Sequence, residues 1–257
     1  MDLLLSNKVA IVTGASRGIG RAIAETLSAE GVKIVLVARS RPELEAVASS
    51  LSNESLVQAT DLREPDSADQ IIAATIEKFG KLDLLVNNAG ATKRGDFLAL
   101  TDQEWMDGFA LKFYGAMRLS RAAWSHLQAS QGTIINIIGV GGKTGSAEFT
   151  IGGTVNAALM NLTKALADRG VQDGVRVNAI NPGSIATDRL QIRIQNYAKT
   201  NNISLEEAAK RLPREMKIER FGDPGEIAHA VAFLASPQAA YIQGAILDVD
   251  GGVTRAL

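Results

Sequence analysis

Residues 9–24 restrict the fold of this chain more than any other stretch: Val9-Ala10-Ile11-Val12-Thr13-Gly14-Ala15-Ser16-Arg17-Gly18-Ile19-Gly20-Arg21-Ala22-Ile23-Ala24. The apolar run Val9 to Val12 has the length and β-branched character of a buried strand. Ile19, Ile23 and Leu27 then recur at the spacing of one helical face. Between strand and helix, Gly14 allows a tight turn, Gly18 lets the backbone approach a pyrophosphate, and Gly20 lets helix and sheet pack closely. Ser16, Arg17 and Ile19 complete the loop. A helix opening on such a loop turns free N–H groups and the positive end of its dipole toward phosphate. Strand, glycine loop and helix in this order predict a dinucleotide site.

The remaining chain repeats the alternation. Lys33–Ala38, Ser55–Ala59, Leu82–Val86, Thr133–Ile138, Val175–Ile180 and Ala245–Val249 read as strands. Helices are predicted over Pro42–Leu51, Pro65–Phe79, Asp102–Ala129, Ala157–Asp168 and Pro224–Leu234. This pattern predicts an α/β fold, a doubly wound parallel sheet of Rossmann type, in one domain over 1–257. With 257 residues and 46% hydrophobic content, the chain can bury a core of that size. Ser184–Phe221 has polar helical patches and no strand, and is expected to be a mobile lid or insertion (184–221).

A net charge of −1 creates no field for nucleic acid or an anionic membrane. The absence of cysteine excludes disulfides and thiolate metal sites. His126 and His229 lie too far apart in sequence to suggest a metal site, so none is expected. No apolar run has bilayer length, and the first strand begins soon after Met1 without a basic leader. The expectation is a cytoplasmic protein whose partner is a small-molecule substrate.

The end of the second strand bears on the cofactor. A carboxylate there hydrogen-bonds the ribose hydroxyls of NAD, whereas this chain has Arg39. A guanidinium pairs with a 2′-phosphate in a bidentate fork, and Arg17 in the glycine loop can approach the same group. NADP is therefore expected over NAD. Asp61, at the end of the third strand and beside Leu62, suits an adenine amino group.

Five motifs in fixed order resemble the short-chain dehydrogenase/reductases, in particular the 3-oxoacyl-carrier-protein reductases, over essentially the whole chain. They are Thr13–Gly20, Asn87-Asn88-Ala89-Gly90, Arg176-Val177-Asn178, Asn181-Pro182-Gly183 with Thr187, and Asp248-Val249-Asp250-Gly251-Gly252. The resemblance implies a seven-stranded parallel sheet and a homo-oligomer, usually a tetramer packed through long helices and the last strand. It also implies cofactor contacts from Asn88, Ala89 and Gly90, and nicotinamide-end contacts from Pro182, Gly183, Ile185 and Thr187.

That family's chemistry uses an Asn in the middle helix, a Ser after the fifth strand, and Tyr-x-x-x-Lys on the next helix. Counting back from Leu162-Thr163-Lys164-Ala165-Leu166-Ala167 places Asn156 at the Lys position and Gly152 at the Tyr position. Counting from Ile134-Ile135-Asn136-Ile137 places Gly139 at the Ser position, and Gly115 as anchor places Lys112 at the Asn position. No tyrosine lies between Tyr114 and Tyr197. Lys112, desolvated beside a nicotinamide, is a candidate proton donor of lowered pKa, and Asn156 a candidate partner for a ribose hydroxyl. Lys143, Thr144, Ser146 and Thr150 stand nearby in sequence, and Tyr197 in the lid. These replacements leave three functions open. One is an NADP(H)-dependent oxidoreductase on a carbonyl or alcohol with an unusual donor. The others are a lyase, hydratase or isomerase on the same fold, and a cofactor-binding pseudoenzyme.

Overall fold

The computed structural model describes residues 2–255. Its strands are β1 (Val9–Thr13), β2 (Lys33–Ala38), β3 (Ser55–Ala59), β4 (Leu84–Asn87), β5 (Thr133–Ile137), β6 (Arg176–Pro182) and β7 (Ile246–Val249). All seven are parallel, in one sheet of order β3-β2-β1-β4-β5-β6-β7. Extended backbone sends alternate side chains to opposite faces. Ala10, Val12, Ile34, Leu36, Val86 and Ile135 accordingly enter one core, while Ile11, Val35, Val37, Leu85 and Ile134 enter the other.

Helices cover both faces, as the doubly wound pattern predicts. Along the chain they are α1 (Gly18–Ala29), α2 (Arg41–Ser50), α3 (Ser67–Phe79), α4 (Asp102–Phe109), α5 (Gly115–Ser130), α6 (Thr150–Asp173), α7 (Asp188–Asn201), α8 (Leu205–Glu215) and α9 (Pro224–Ala235). The first core takes Ile23 and Leu27 of α1, Leu44 and Val47 of α2, and Ile227 and Val231 of α9. The second takes Ile71 and Ile72 of α3, and Leu119, Ala123 and Leu127 of α5. Among the described residues no helix is long and apolar enough to cross a membrane.

Three segments differ from the sequence reading in informative ways. The helix expected over Asp102–Ala129 is interrupted by a π turn, Ala110–Tyr114, between α4 and α5. It begins in a capping box in which Thr101 Oγ1 accepts from Glu104 N–H. The helix expected from Ala157 starts earlier, at Thr150, because burial of Ile151, Gly152 and Val155 outweighs the poor helix propensity of Gly152-Gly153. The 184–221 segment is built as the pair α7 and α8, packed around Leu190, Ile194, Ala198, Ala208 and Leu212. A single parallel bridge, Ile185 to Gly222, ties its two ends together.

One of the quoted motifs, Arg176-Val177-Asn178, is structural. The Arg176 guanidinium donates to the carbonyls of Leu234, Ala235, Ser236 and Ala239, closing the end of α9. Asn178 brackets the approach to β7, donating to Ile242 O and accepting from Ala245 N–H. A buried polar chain crosses the sheet: Asn87 Nδ2 donates to Ser120 Oγ and Asn136 Oδ1, and Asn136 Nδ2 donates to Thr163 Oγ1 at 2.9 Å. Asn136→Ala removes one buried hydrogen bond on each side, to Asn87 and to Thr163, at a cost of about 1–3 kcal/mol. Urea unfolding is expected to show a lower midpoint at unchanged slope.

Candidate active site

β1 pairs with β2 on one side and β4 on the other, so the chains leaving its carboxyl end diverge and open a crevice. The glycine loop fills that position. Gly14 and Gly18 have φ of +66° and +55°, a region that disfavours side chains. A Cβ on Gly20 would collide with the Gly14 carbonyl oxygen and come within 2.5 Å of Asn88 Nδ2. The loop is held from β4. Thr13 Oγ1 accepts from the Asn88 and Ala89 N–H groups, both at 2.9 Å, and Asn88 Nδ2 donates to Thr13 O. No side chain caps the start of α1. Its first N–H groups, set in a cradle that a Cβ would fill, fit a pyrophosphate.

Arg17 is exposed at the mouth, 3.9 Å from Asp188 of α7. Arg39 is exposed at the end of β2 and close enough to Asp61 for its charge to be felt there. Asp61 itself is engaged: both carboxylate oxygens accept from Arg63, which holds its carboxyl below the ordinary range. Leu62 is buried beneath Gly115. Ile185 and Thr187 belong to a strap across the loop. Ile185 enters the first core, the Thr187 methyl lies 3.3 Å from where a Gly18 Cβ would stand, and Arg189 donates to the Gly90 carbonyl. Pro182 is buried, and Gly183 packs so closely on Asp250 that a Cβ would come within 2.7 Å of its Cα.

Next to this strap the π turn delivers Lys112. Its stem lies against Gly90, where a Cβ would come within 2.8 Å of Lys112 Cδ. Nζ donates to Ile138 O at 2.5 Å and to Asn156 Oδ1 at 2.6 Å. Asn156 in turn donates from Nδ2 to Gly139 O at 3.3 Å, which fixes which way its amide faces. Burial, reinforced by the Arg189 charge, brings the Lys112 ammonium from 10.5 down to about 7. Gly139, at φ +127°, donates from N–H to Asn181 Oδ1. Asn181 Nδ2 and Lys143 Nζ both donate to Asp248, so Lys143 is committed to β7.

Gly152 faces an aromatic lid. A Cβ there would run into the Phe149 ring, which also lies 2.9 Å from a Cβ on Gly141. The Arg94 guanidinium stacks on the same ring, 4.1 Å from its centroid.

A family model described as enoyl-(acyl carrier protein) reductase matches residues 14–254. The chain is 38% identical over 250 residues to the 3-oxoacyl-(acyl-carrier-protein) reductase FabG of Vibrio cholerae, covering 97% of this chain and 98% of that one. It is 36% identical to the FabG of Escherichia coli, covering 96% and 97%. The chain belongs to the short-chain dehydrogenase/reductase family. Among solved members of that family's fold, L-sorbose reductase from Gluconobacter frateurii, complexed with NADPH and L-sorbose, superposes with a TM-score of 0.94 at 33% identity, covering all of both chains. YwfH, an NADPH-dependent reductase involved in bacilysin biosynthesis, superposes at 0.92 with 29% identity, covering 98% of this chain and all of its own.

Of the residues singled out in sequence, the structure gathers Gly90, Lys112, Gly139, Asn156 and Pro182 at the carboxyl ends of β4, β5 and β6. It does not bring Tyr197 there, because its hydroxyl bonds Glu215 and joins α7 to α8. Sequence reasoning missed Arg94, Arg189 and the covering role of Phe149. The visible signal was an aromatic residue three positions ahead of a glycine pair, which offers no hint of which way the ring turns. Gly152→Ala is expected to destabilise the fold by about 1–3 kcal/mol through overpacking against that ring. In a double-mutant cycle Phe149→Ala should remove most of this cost, read as a favourable coupling in thermal or urea unfolding.

Proposed function

We propose that this short-chain dehydrogenase/reductase is an NADP(H)-dependent oxidoreductase acting on a carbonyl or alcohol, with Lys112 as its proton donor and the Asn, Ser, Tyr and Lys of the family pattern replaced. The observation that carries the reading is the hydrogen bonding of Lys112. An ammonium has three donors, and two are spent on Ile138 O and Asn156 Oδ1, so the third remains for a substrate oxygen. Amide and ammonium have exchanged places relative to the family: a Lys stands where it has Asn, and Asn156 where it has Lys. Gly139 and Gly152 offer no hydroxyl, whereas a lysine brought to about 7 is poised for acid–base work near neutral pH.

Arg17 and Arg39 would hold the 2′-phosphate, and the glycine loop with the start of α1 would hold the pyrophosphate. The strap Pro182–Thr187 and Gly90 would frame the nicotinamide end. When bound, the dinucleotide supplies or accepts the hydride. In reduction Lys112 gives its third proton to the substrate oxygen as the carbonyl carbon gains hydride. The resulting neutral amine keeps its seat on the Ile138 carbonyl and Asn156 amide, and recovers a proton from solvent. Asn156 fixes the Nζ direction through its own bond to Gly139 O. Oxidation runs the same transfer backward. Exposed Met106 and Tyr114 in the middle helix, Val171 on α6 and Leu247 on β7 fit assembly as a homo-oligomer through those surfaces.

Lys112→Met should lower kcat for carbonyl reduction by about 10²–10⁴ while NADPH binding, followed by fluorescence, stays intact. The reduction rate should fall as pH rises through about 7, because the donor must carry its proton; oxidation should rise over the same range. Stability carries the same signature. Between about 7 and 10.5 the unfolded chain binds more protons at this lysine than the folded one, so unfolding free energy rises with pH, and the Met variant loses that increment. Undiminished turnover in the Met variant would refute the assignment. Arg39→Asp should weaken NADPH binding by about tenfold or more and improve NADH, read by parallel titrations.

A further inference from the structure

The peptide that joins Ile138 to Gly139 is engaged at both ends. Its carbonyl oxygen accepts from Lys112 Nζ at 2.5 Å, and its N–H donates to Asn181 Oδ1 at 3.3 Å. In a trans peptide these groups point in opposite directions, so whatever holds the N–H also aims the oxygen that seats the lysine. Asn181, fully buried on β6, stands in register with Asp248 of β7. Its Nδ2 donates to Asp248 Oδ1 at 2.9 Å. A carboxylate only accepts, so this bond settles which way the Asn181 amide faces and leaves Oδ1 for Gly139. The other carboxylate oxygen, Oδ2, takes Lys143 Nζ at 2.6 Å. Lys143 closes a ring, because its own N–H donates to Val140 O at 3.0 Å in the turn that leaves Gly139.

Every dipole along this route has the same sense. The Asn181 amide and the 138–139 peptide each turn a positive end toward Asp248 and a negative end toward Lys112, and hydrogen bonds chained in this way polarise one another inside a protein. We propose that Asp248 and Lys143 are positioning residues for Lys112. Through Asn181 and the Ile138–Gly139 peptide they aim the carbonyl oxygen that seats Nζ, the carboxylate favouring the ammonium and Lys143 tempering that effect. From the turn after β4, the end of β5 and α6, Lys112 meets Gly90, the Ile138 carbonyl and Asn156, all neutral. Among the described residues Arg189 of α7 is the charge that faces it, and on the far side the Lys143 charge is also felt at Asp250. The route from Asp248 is therefore what brings negative potential to Nζ. The inference rests on the functional reading above for its effect on turnover, but not for its effect on the protonation of Lys112.

The test follows the Lys112 side chain by NMR against pH, in the full chain carrying isotope-labelled lysine, with the resonance assigned by its loss in Lys112→Met. Asp248→Ala should move the midpoint down by about half a unit or more. Asp248→Asn, which keeps an acceptor without the charge, should move it less, and Lys143→Met should move it up. Under the functional reading the alkaline limb of carbonyl reduction follows the same shifts, about threefold in kcat per half unit, with KM and NADPH affinity unchanged. A purely structural role would lower activity in both variants without driving their midpoints in opposite directions. If Asp248→Ala fails to fold, Lys143→Met, at a part-exposed side chain, carries the test by itself. Midpoints that stay in place in the folded variants, or move the same way in Asp248→Ala and Lys143→Met, would overturn the proposal. Shifted midpoints without any carbonyl reduction would keep the positioning and remove Lys112 as donor. Unshifted midpoints, with a reduction that Lys112→Met abolishes, would do the reverse.

Discussion

The structure depends on a single hydroxyl at the point where the strand order reverses, between β1 and β4. Thr13 Oγ1 donates to Val86 O and accepts from the N–H groups of Asn88 and Ala89, so the end of β1 and the end of β4 become one rigid unit. Everything in the crevice is measured from there. The glycine loop leaves from Thr13, and the turn carrying Gly90 leaves from Asn88. Position 20 admits only glycine, because the Gly14 carbonyl oxygen and Asn88 Nδ2 already occupy the space a side chain would need. Because these groups are satisfied internally, the loop is fixed before any ligand arrives, and little ordering cost remains to be met on binding.

From that unit the placement of Lys112 follows. A Cβ at position 90 would press on the lysine stem, so the glycine of the Asn-Ala-Gly turn is a bearing surface for Lys112. The π turn matters for the same reason. Its wider winding, a feature that recurs at functional positions, leaves residue 112 inside the crevice while α4 and α5 remain in register with their own neighbours. Nζ then meets two oxygens rather than a carboxylate. Neutral acceptors hold an ammonium without stabilising its charge as an anion would, and so burial lowers its pKa instead of being offset.

Much of the fold was legible because its signals are local and repeated. Each central strand is buried on both faces and therefore reads as an unbroken apolar run, and each helix carries an apolar stripe. The parallel sheet and the glycine loop followed from the alternation of segments and the order of the motifs, whereas the strand order is read only from the structure. The helix ends were less legible: Thr150 to Asn156 is helical because of what it packs on, and its glycines argue for the opposite. In the site, counting from two anchors placed Lys112 and Asn156 at one locus, but sequence carries no record of the hydrogen bond between them. Asp61 looked like an adenine partner because a carboxylate at the end of β3 reads so. That Arg63, two residues on, takes both oxygens is a rotamer choice, invisible in one dimension. The covering role of Phe149 and its contact with Arg94 were missed for a related reason: the two come from a turn and a loop, and meet only in three dimensions.

On the proposed reading, with Lys112 as donor, the four replacements are better understood together than as separate losses. A tyrosine donor needs a neighbouring cation to bring its phenol down from about 10 toward neutral pH, and a family lysine provides one. A buried lysine needs no such helper, since desolvation alone moves its pKa in the useful direction. Once the ammonium sits at position 112, a second cation at position 156 would repel it. An amide there accepts the Lys112 hydrogen bond through Oδ1 and passes its own N–H to Gly139 O, which keeps a turn with φ of +127° in place. With no phenol to accommodate, position 152 need not carry a side chain. Phe149 folds over the glycine and gives Arg94 an aromatic face to lie on. Restoring tyrosine at 152 would thus displace the ring, unseat the arginine and place a phenol near an amine already at about 7, so the two donor designs exclude one another on steric as well as electrostatic grounds.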